Sequence, residues 1–403
     1  MRRLLHLTAA ILLWAGLGMS GAMADPGSDK WVRDFWPVAR DAGISRATYD
    51  AAFRNAAFDP EVLEKARYQP EFVRPLWSYL GSAVSDKRIE DGRRMLAEHR
   101  PLLDAIEARY GVDRHVLVAI WGMESSYGAV LDDPKVMKDA VSALATLAYA
   151  DQRRAKFGRS QLIAILKILE RGDIDVAGLK SSWAGAMGHT QFIPTTYLEL
   201  GVDFDGDGRR NIWTSLPDAL ASSANLLAKA GWQGGKTWGY EVVLPQNFDY
   251  RIADKEETRT LGDWAALGLR RPDGQGFPRP GDNGVLIAPA GARGPAFLLL
   301  RNHFVIKRYN PATAYAIGVG HLADRLRGGR PFVQSWPQED RILTEAEKAE
   351  LQQLLARSGH YGGAIDGKLG AQSLAAIRAF QAQRGMPADG FASAALLQAL
   401  REG

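Results

Sequence analysis

Cysteine is absent from the chain. That excludes disulfides, thiolate metal sites, a cysteine nucleophile and a lipid-modified cysteine behind a leader. Histidine is sparse, with seven scattered residues, no H-E-x-x-H and no paired metal-ligand spacing. Charge of one sign is also scarce. The formal net charge is +4 with no long basic run, which argues against a nucleic-acid partner. Beyond the N-terminus no apolar run is long enough to cross a bilayer. No repeat of solenoid length is visible. Ser125-Ser126 lies outside any nucleophile-elbow pattern, so serine hydrolase chemistry is not expected.

What is present reads as an exported globular protein. With 403 residues, 46% hydrophobic and 24% charged, the chain suits two or three soluble domains. Arg2 and Arg3 precede an apolar stretch from Leu4 to about Leu17, followed by Ala22-Met23-Ala24. This is the pattern of a secretory signal peptide over 1–24, with Asp25 starting the mature chain and an uncleaved anchor as the alternative. Loss of the two arginines leaves a net charge of about +2. A bacterial periplasm is the simplest destination, as a soluble monomer rather than a lipoprotein.

Glu124 is the most informative residue. It follows Val116-Leu117-Val118-Ala119-Ile120-Trp121-Gly122-Met123, where Leu117, Ile120 and Trp121 recur at helical spacing. Asp113 reads as the N-cap and Gly128 as the stop. Glu124 then sits near the negative end of the helix dipole, against an apolar stripe. Both influences disfavour the carboxylate, so its pKa is expected to rise, as a general acid requires. The competing reading is a surface glutamate on a slightly misphased helix. A second run, Ser181-Ser182-Trp183-Ala184-Gly185-Ala186-Met187-Gly188-His189-Thr190-Gln191-Phe192-Ile193-Pro194, suggests a tight loop entering a helix.

Together, Glu-Ser-Ser-Tyr-Gly and Ser-Trp-Ala-Gly-Ala-Met-Gly-x-x-Gln-Phe-x-Pro resemble the lytic murein transglycosylase B family of glycoside hydrolases, over roughly Trp31 to Arg327. The resemblance implies a mainly α fold: a lysozyme-like helical core over 25–330 with a small β insertion at about 234–308. The implied reaction is non-hydrolytic cleavage of the β-1,4 bond between N-acetylmuramic acid and N-acetylglucosamine, leaving a 1,6-anhydromuramic end. Glu124 matches the single catalytic acid/base, and no second acidic residue stands in the motifs. Substrate assistance then replaces the second carboxylate. Ser182 and Gln191 match sugar contacts; Tyr79, Tyr309, Asn310 and Tyr315 match cleft residues; Arg153 and Arg154 match a basic pair for peptide or lactyl carboxylates. Asn310 would orient the acetamido group. Tyr127, Trp183 and Phe192 are further aromatic candidates for sugar faces, against the alternative of core packing. A hydrolytic muramidase and a non-catalytic wall-binding scaffold are the alternatives. No catalytic cofactor is expected; peptidoglycan strands are the expected partner and cell-wall synthases candidate partners.

Asp203-Phe204-Asp205-Gly206-Asp207-Gly208-Arg209 places oxygen ligands at alternate positions with glycine in the turn, which suits a weak structural Ca²⁺. Arg209 would supply a backbone carbonyl. Thr214 stands where such a loop has its last carboxylate; Asp218 matches the family's last ligand once one inserted residue is allowed. The alternative is a metal-free Asp/Gly turn. Where the family has an aromatic after Ala-Asn, this chain has Leu226. After a connector at 331–342, the segment 343–401 resembles a peptidoglycan-binding domain, a three-helix module with Leu374, Ile377 and Phe380 as its core stripe.

Overall fold

The computed structural model describes residues 26–67, 75–253 and 257–403, so the expected leader at 1–24 lies outside them. The described residues form two compact units, one drawn from 26–67 and 82–229, the other from 75–81, 230–253 and 257–403. The division therefore falls after Lys229. No helix among the described residues is long and apolar enough to cross a membrane.

Up to Lys229 the chain is helical, as its cap signals require. The order is α1 (Pro26–Asp41), α2 (Arg46–Phe53), α3 (Pro60–Arg67), α4 (Leu76–Ala83), α5 (Asp86–Glu98), α6 (Arg100–Tyr110), α7 (Arg114–Ser125), α8 (Ala140–Ala150), α9 (Ala155–Arg171), α10 (Pro194–Leu200) and α11 (Leu216–Lys229). Ser45, Ser85, Asp113 and Asp139 cap α2, α5, α7 and α8 with side-chain oxygens. A two-residue ladder, β1 (Lys138–Asp139) with β2 (Lys180–Ser181), was not foreseen. It aligns the start of α8 with the loop that opens at Ser181. Helices α8 and α9 meet at backbone distance. A Cβ built on Gly158 would stand 2.6 Å from the Ala148 nitrogen, so only glycine allows this approach.

In the second unit, β3 (Gly239–Val242), β4 (Thr258–Thr260), β5 (Asn283–Ile287) and β6 (Ala296–Leu299) form an antiparallel sheet in the order β3-β6-β5-β4. Residues 241–244, 284–287 and 296–300 read in the sequence as strands between Gly/Pro turns, and β3, β5 and β6 overlap them. β4 is an addition, too short for its alternation to register. Trp264, on α12 (Leu261–Ala266), fills the sheet's core and donates its Nε1–H to the Gly284 carbonyl at 2.9 Å. α13 (Arg301–Ile306) and α14 (Thr313–Leu326) follow. The C-terminal module is α15 (Glu345–Arg357), α16 (Ala371–Gln383) and α17 (Ala394–Arg401), closed around Leu351, Leu355, Ile377, Phe380 and Leu397. Buried Gln352 accepts the N–H groups of Asp366 and Gly367, which fixes the Asp-Gly turn.

The connector is clamped rather than loose. Glu241 accepts the Val333 and Gln334 N–H groups, each at 2.8 Å, and Phe332 stacks on His321 at 3.7 Å between ring centres. Trp336 lies 6.0 Å from Phe297. Asp340 pairs with Arg293 and accepts the Ala394 N–H. Asp389 of the module accepts the Ala292 N–H at 2.8 Å, over a Gly291 at φ +60° that has no room for a side chain.

Gly158→Ala is expected to force α8 and α9 apart. Overpacking costs about 1–3 kcal/mol, and the gain in helix propensity offsets up to about 1 kcal/mol. Thermal denaturation should show a midpoint lower by roughly a few degrees.

Candidate active site

Helix α7 is buried all round. Every residue from Val116 to Gly122 is buried, so the apolar stripe read from sequence is part of a helix enclosed over these two turns. Glu124, the next-to-last residue of α7, is half-buried. The helix does not run to Gly128. It stops at Ser125, with Ser126 at φ 50° and Tyr127 at φ 61° in the left-handed region before Gly128 at φ 87°. Residues with a Cβ rarely adopt this conformation. Three non-glycine residues do so among the described ones: Ser126, Tyr127 and Gln191. All three lie in the two loops that carry the motifs, as expected where strain is held by a functional site.

Ser125 joins those loops. It is 1% exposed; its hydroxyl donates to the His189 carbonyl at 2.6 Å and accepts the Gly128 N–H at 3.0 Å. Above it, Trp121 donates its Nε1–H to His189 Nδ1 at 3.2 Å. This bond needs a neutral imidazole with its proton on Nε2. Burial, then the charge of His99, lowers the His189 pKa and keeps that form. His189 and Ser125 were not singled out from sequence, although both stand inside the motifs.

The Ser181–Phe192 loop is a closed hairpin. Met187 and Phe192 exchange backbone hydrogen bonds at 2.9 Å, and Gln191 Nε2 donates to the Gly188 carbonyl at 2.9 Å. Ser182 Oγ accepts the Ala184 and Ala186 N–H groups at 3.3 and 3.1 Å, leaving its own proton to donate. Gly188, at φ +69°, lies so close to the Ile212 carbonyl that a Cβ would overlap it. Gly122 gives room to the Tyr127 ring in the same way. Phe192 is 2% exposed and belongs to the core, so it is no sugar platform. Trp183 is half-exposed, with the Arg154 guanidinium 5.0 Å over its ring.

The acidic loop brings Asp203, Asp205 and Asp218 together, with one oxygen of each within 4.8 Å of the others. Asp218 is fully buried and accepts the Phe204 and Asn211 N–H groups at 2.7 and 2.8 Å. Burial raises its pKa; those two bonds work against the shift, and the charge of Asp205 adds to it. Asp207 stands outside the cluster, its carboxylate accepting the Arg209 N–H at 2.8 Å.

Residues 27–324 match the Transglycosylase SLT domain. The chain belongs to this family. Residues 344–400 match a putative peptidoglycan binding domain. Two crystal structures of SltB3 from Pseudomonas aeruginosa, in complex with NAG-anhNAM-pentapeptide and with NAG-NAM-pentapeptide, are 46% identical in sequence. The likeness covers 94% of this chain and 100% of theirs, with a TM-score of 0.86. The membrane-bound lytic murein transglycosylase B of Escherichia coli (strain K12) is 29% identical over 261 residues, which span 64% of this chain and 65% of that protein. The E. coli lytic transglycosylase Slt35 in complex with calcium is 26% identical, with a TM-score of 0.61 over 75% of this chain and 93% of that one.

Within this transglycosylase fold the remaining expected contacts divide. In the first unit Arg153 is exposed, while Arg154 holds the Ala66 carbonyl at 2.8 Å and Trp183, so only Arg153 projects outward. Tyr127 turns its hydroxyl to the Arg88 carbonyl at 2.7 Å and its ring onto Trp121; its polar end supports α5 and α7, which leaves only the ring for a sugar. Leu226 is 6% exposed and packs in the core. In the second unit Tyr79 and Tyr309 are half-exposed and Tyr315 is buried. Asn310 Oδ1 accepts the Ala312 N–H at 3.0 Å and sets the turn before α14.

Ser125→Ala should unfasten the two loops. Removing a buried hydroxyl with two partners costs about 1–3 kcal/mol. The expected result is a lower melting midpoint and a reduced turnover rate on murein, with affinity for sacculi retained.

Proposed function

We propose that the protein is a periplasmic lytic transglycosylase that cleaves the bond between N-acetylmuramic acid and N-acetylglucosamine in peptidoglycan, leaving a 1,6-anhydromuramic end. The observation that carries this reading is the half-buried Glu124 at the C-terminal end of an enclosed helix, held by two strained loops in a transglycosylase-family fold. The negative end of a helix disfavours a carboxylate's charge, which suits a residue that must donate a proton. Glu124 gives its proton to the glycosidic oxygen as the bond to the anomeric carbon breaks. The muramic N-acetyl carbonyl stabilises the cationic carbon. The sugar's own O6 then attacks, and Glu124, now a carboxylate, takes the O6 proton, so no water is consumed. Ser182, with a proton to donate, and Gln191, pinned by its amide, serve as sugar contacts, and Arg153 as a contact for carboxylates. Residues 25–330 form the catalytic portion in this reading, and 343–401 hold the enzyme on the insoluble wall.

The acidic loop suits a hard cation such as Ca²⁺, held by Asp203, Asp205 and Asp218. Asp207 and the Arg209 carbonyl are the weaker candidates. The ion would offset the repulsion between Asp205 and Asp218 and stiffen the loop; it takes no part in bond cleavage.

Glu124→Gln should leave folding and sacculus binding intact and lower cleavage by about a hundredfold or more. Mass spectrometry of wild-type digests should show muropeptides one water lighter than reducing-end products. Reducing ends alone would identify a hydrolytic muramidase, and an inert wild type a binding scaffold.

At neutral pH, EDTA should lower the melting midpoint and Ca²⁺ restore it, by about 2.7 kcal/mol at a hundredfold excess over Kd. Because the Asp218 pKa is raised in the metal-free fold, stability there is lost as pH rises through that value. The calcium-dependent gain should therefore shrink as pH falls and Asp218 takes up its proton. Midpoints measured across pH with and without Ca²⁺ check this.

A further inference from the structure

The C-terminal module and the β insertion share a cavity of about 770 Å³. One wall is the segment Phe248–Ala253; the other is the face of α16 from Ala371 to Ala382. Two arginines line it. Arg251 is matched by Asp249, which accepts three hydrogen bonds from its guanidinium at 2.8–3.0 Å. Arg378 is not matched among the described residues. Its Nη2 reaches only the Tyr250 carbonyl, at 3.5 Å, and its Nε is sealed from solvent without an acceptor. A guanidinium with unused donors beside apolar walls favours a carboxylate, because charge-assisted bonds strengthen where water is excluded. The rest of the lining is mainly apolar. Phe248 and Tyr250 meet edge to face at 5.2 Å, and Ala371, Ala375, Ala379 and Ala382 leave the α16 side shallow. Sugar hydroxyls would find few partners there, whereas methyl-sized side chains would fit.

We propose that this cavity is the peptide-binding site of the wall-binding module. It takes the small apolar end of a peptide stem, whose terminal free carboxylate pairs with Arg378. The proposal rests on the wall-binding reading above and adds where, and by what chemistry, the wall is held. The site is composite. It exists because Asp389 and Asp340 fasten the module to Ala292 and Arg293 of the insertion, so a module swinging on a loose tether would carry only half of it.

The test uses the full chain carrying Glu124→Gln. Isothermal titration measures binding of the sugar-free murein pentapeptide and of its C-terminal amide; sedimentation with sacculi is measured in parallel. The acid should bind at least tenfold more tightly than the amide. Arg378→Gln should lose that preference, and Ala379→Trp, which fills the cavity from an exposed rim position, should lose binding while both variants melt cooperatively. If the parent chain sediments with sacculi yet acid and amide bind alike, or both variants bind as the parent does, the site is wrong and the wall-binding reading stands. If the parent chain does not sediment with sacculi, both fall.

Discussion

A single hydroxyl holds the candidate site in shape. Ser125 sits at the last turn of an enclosed helix and spends both of its hydrogen-bonding capacities on the neighbouring loops, giving to the His189 carbonyl and receiving from the Gly128 N–H. Glu124 is covalently next to it. A carboxyl that must give and then retake a proton needs a fixed position, and a helix end is the part of a helix most prone to fray. Burying Ser125 removes that freedom. The neutral His189 ring, held by Trp121, secures the same junction from above.

The strain in the two loops follows from this junction. Left-handed backbone at Ser126, Tyr127 and Gln191 costs of order 1 kcal/mol at each residue. It persists because the surrounding packing leaves no alternative: Tyr127 fills the space over Gly122, and Gln191 is closed onto Gly188 by its own amide. Glycine is therefore required at 122 by close approach alone, and at 188 by close approach together with a φ of +69°. The chemistry of the motifs and the stability of their loops depend on the same residues.

The second unit changes how the wall-binding module should be pictured. A tethered binding domain acts by raising effective concentration. Here the connector is bound along its length by Glu241, His321, Phe297 and Arg293, and the module meets the insertion through Asp389. A module fixed in this way also orients what it holds relative to the sheet that supports it. That gives the β insertion, whose core is otherwise an ordinary sheet packed on Trp264, a role in recognition.

Much of this was legible in the residues. Glu124 stood out because helical spacing and a specific motif coincide there. The cap at Asp113, the strands around Val242, Leu286 and Leu298, and the three helices of the C-terminal module all follow local rules of capping and periodicity. Other features obey no local rule. Glycine is the usual left-handed residue and marks Gly128 as the α7 stop, yet Ser126 and Tyr127 already adopt that conformation, with Tyr127 packed against Gly122 and bonded to Arg88. Phe192 resembled a sugar platform, but exposure is a property of neighbours, and its neighbours bury it. Asp218 joins Asp203 and Asp205 only because α11 folds back on the loop. By itself the sequence determined which residue is the candidate proton carrier and which elements form, since both depend on nearest neighbours along the chain. The tertiary structure alone decided which side chains are held still, which are buried, and that connector and module are fastened to the insertion, because those outcomes depend on groups that meet only once the chain has folded.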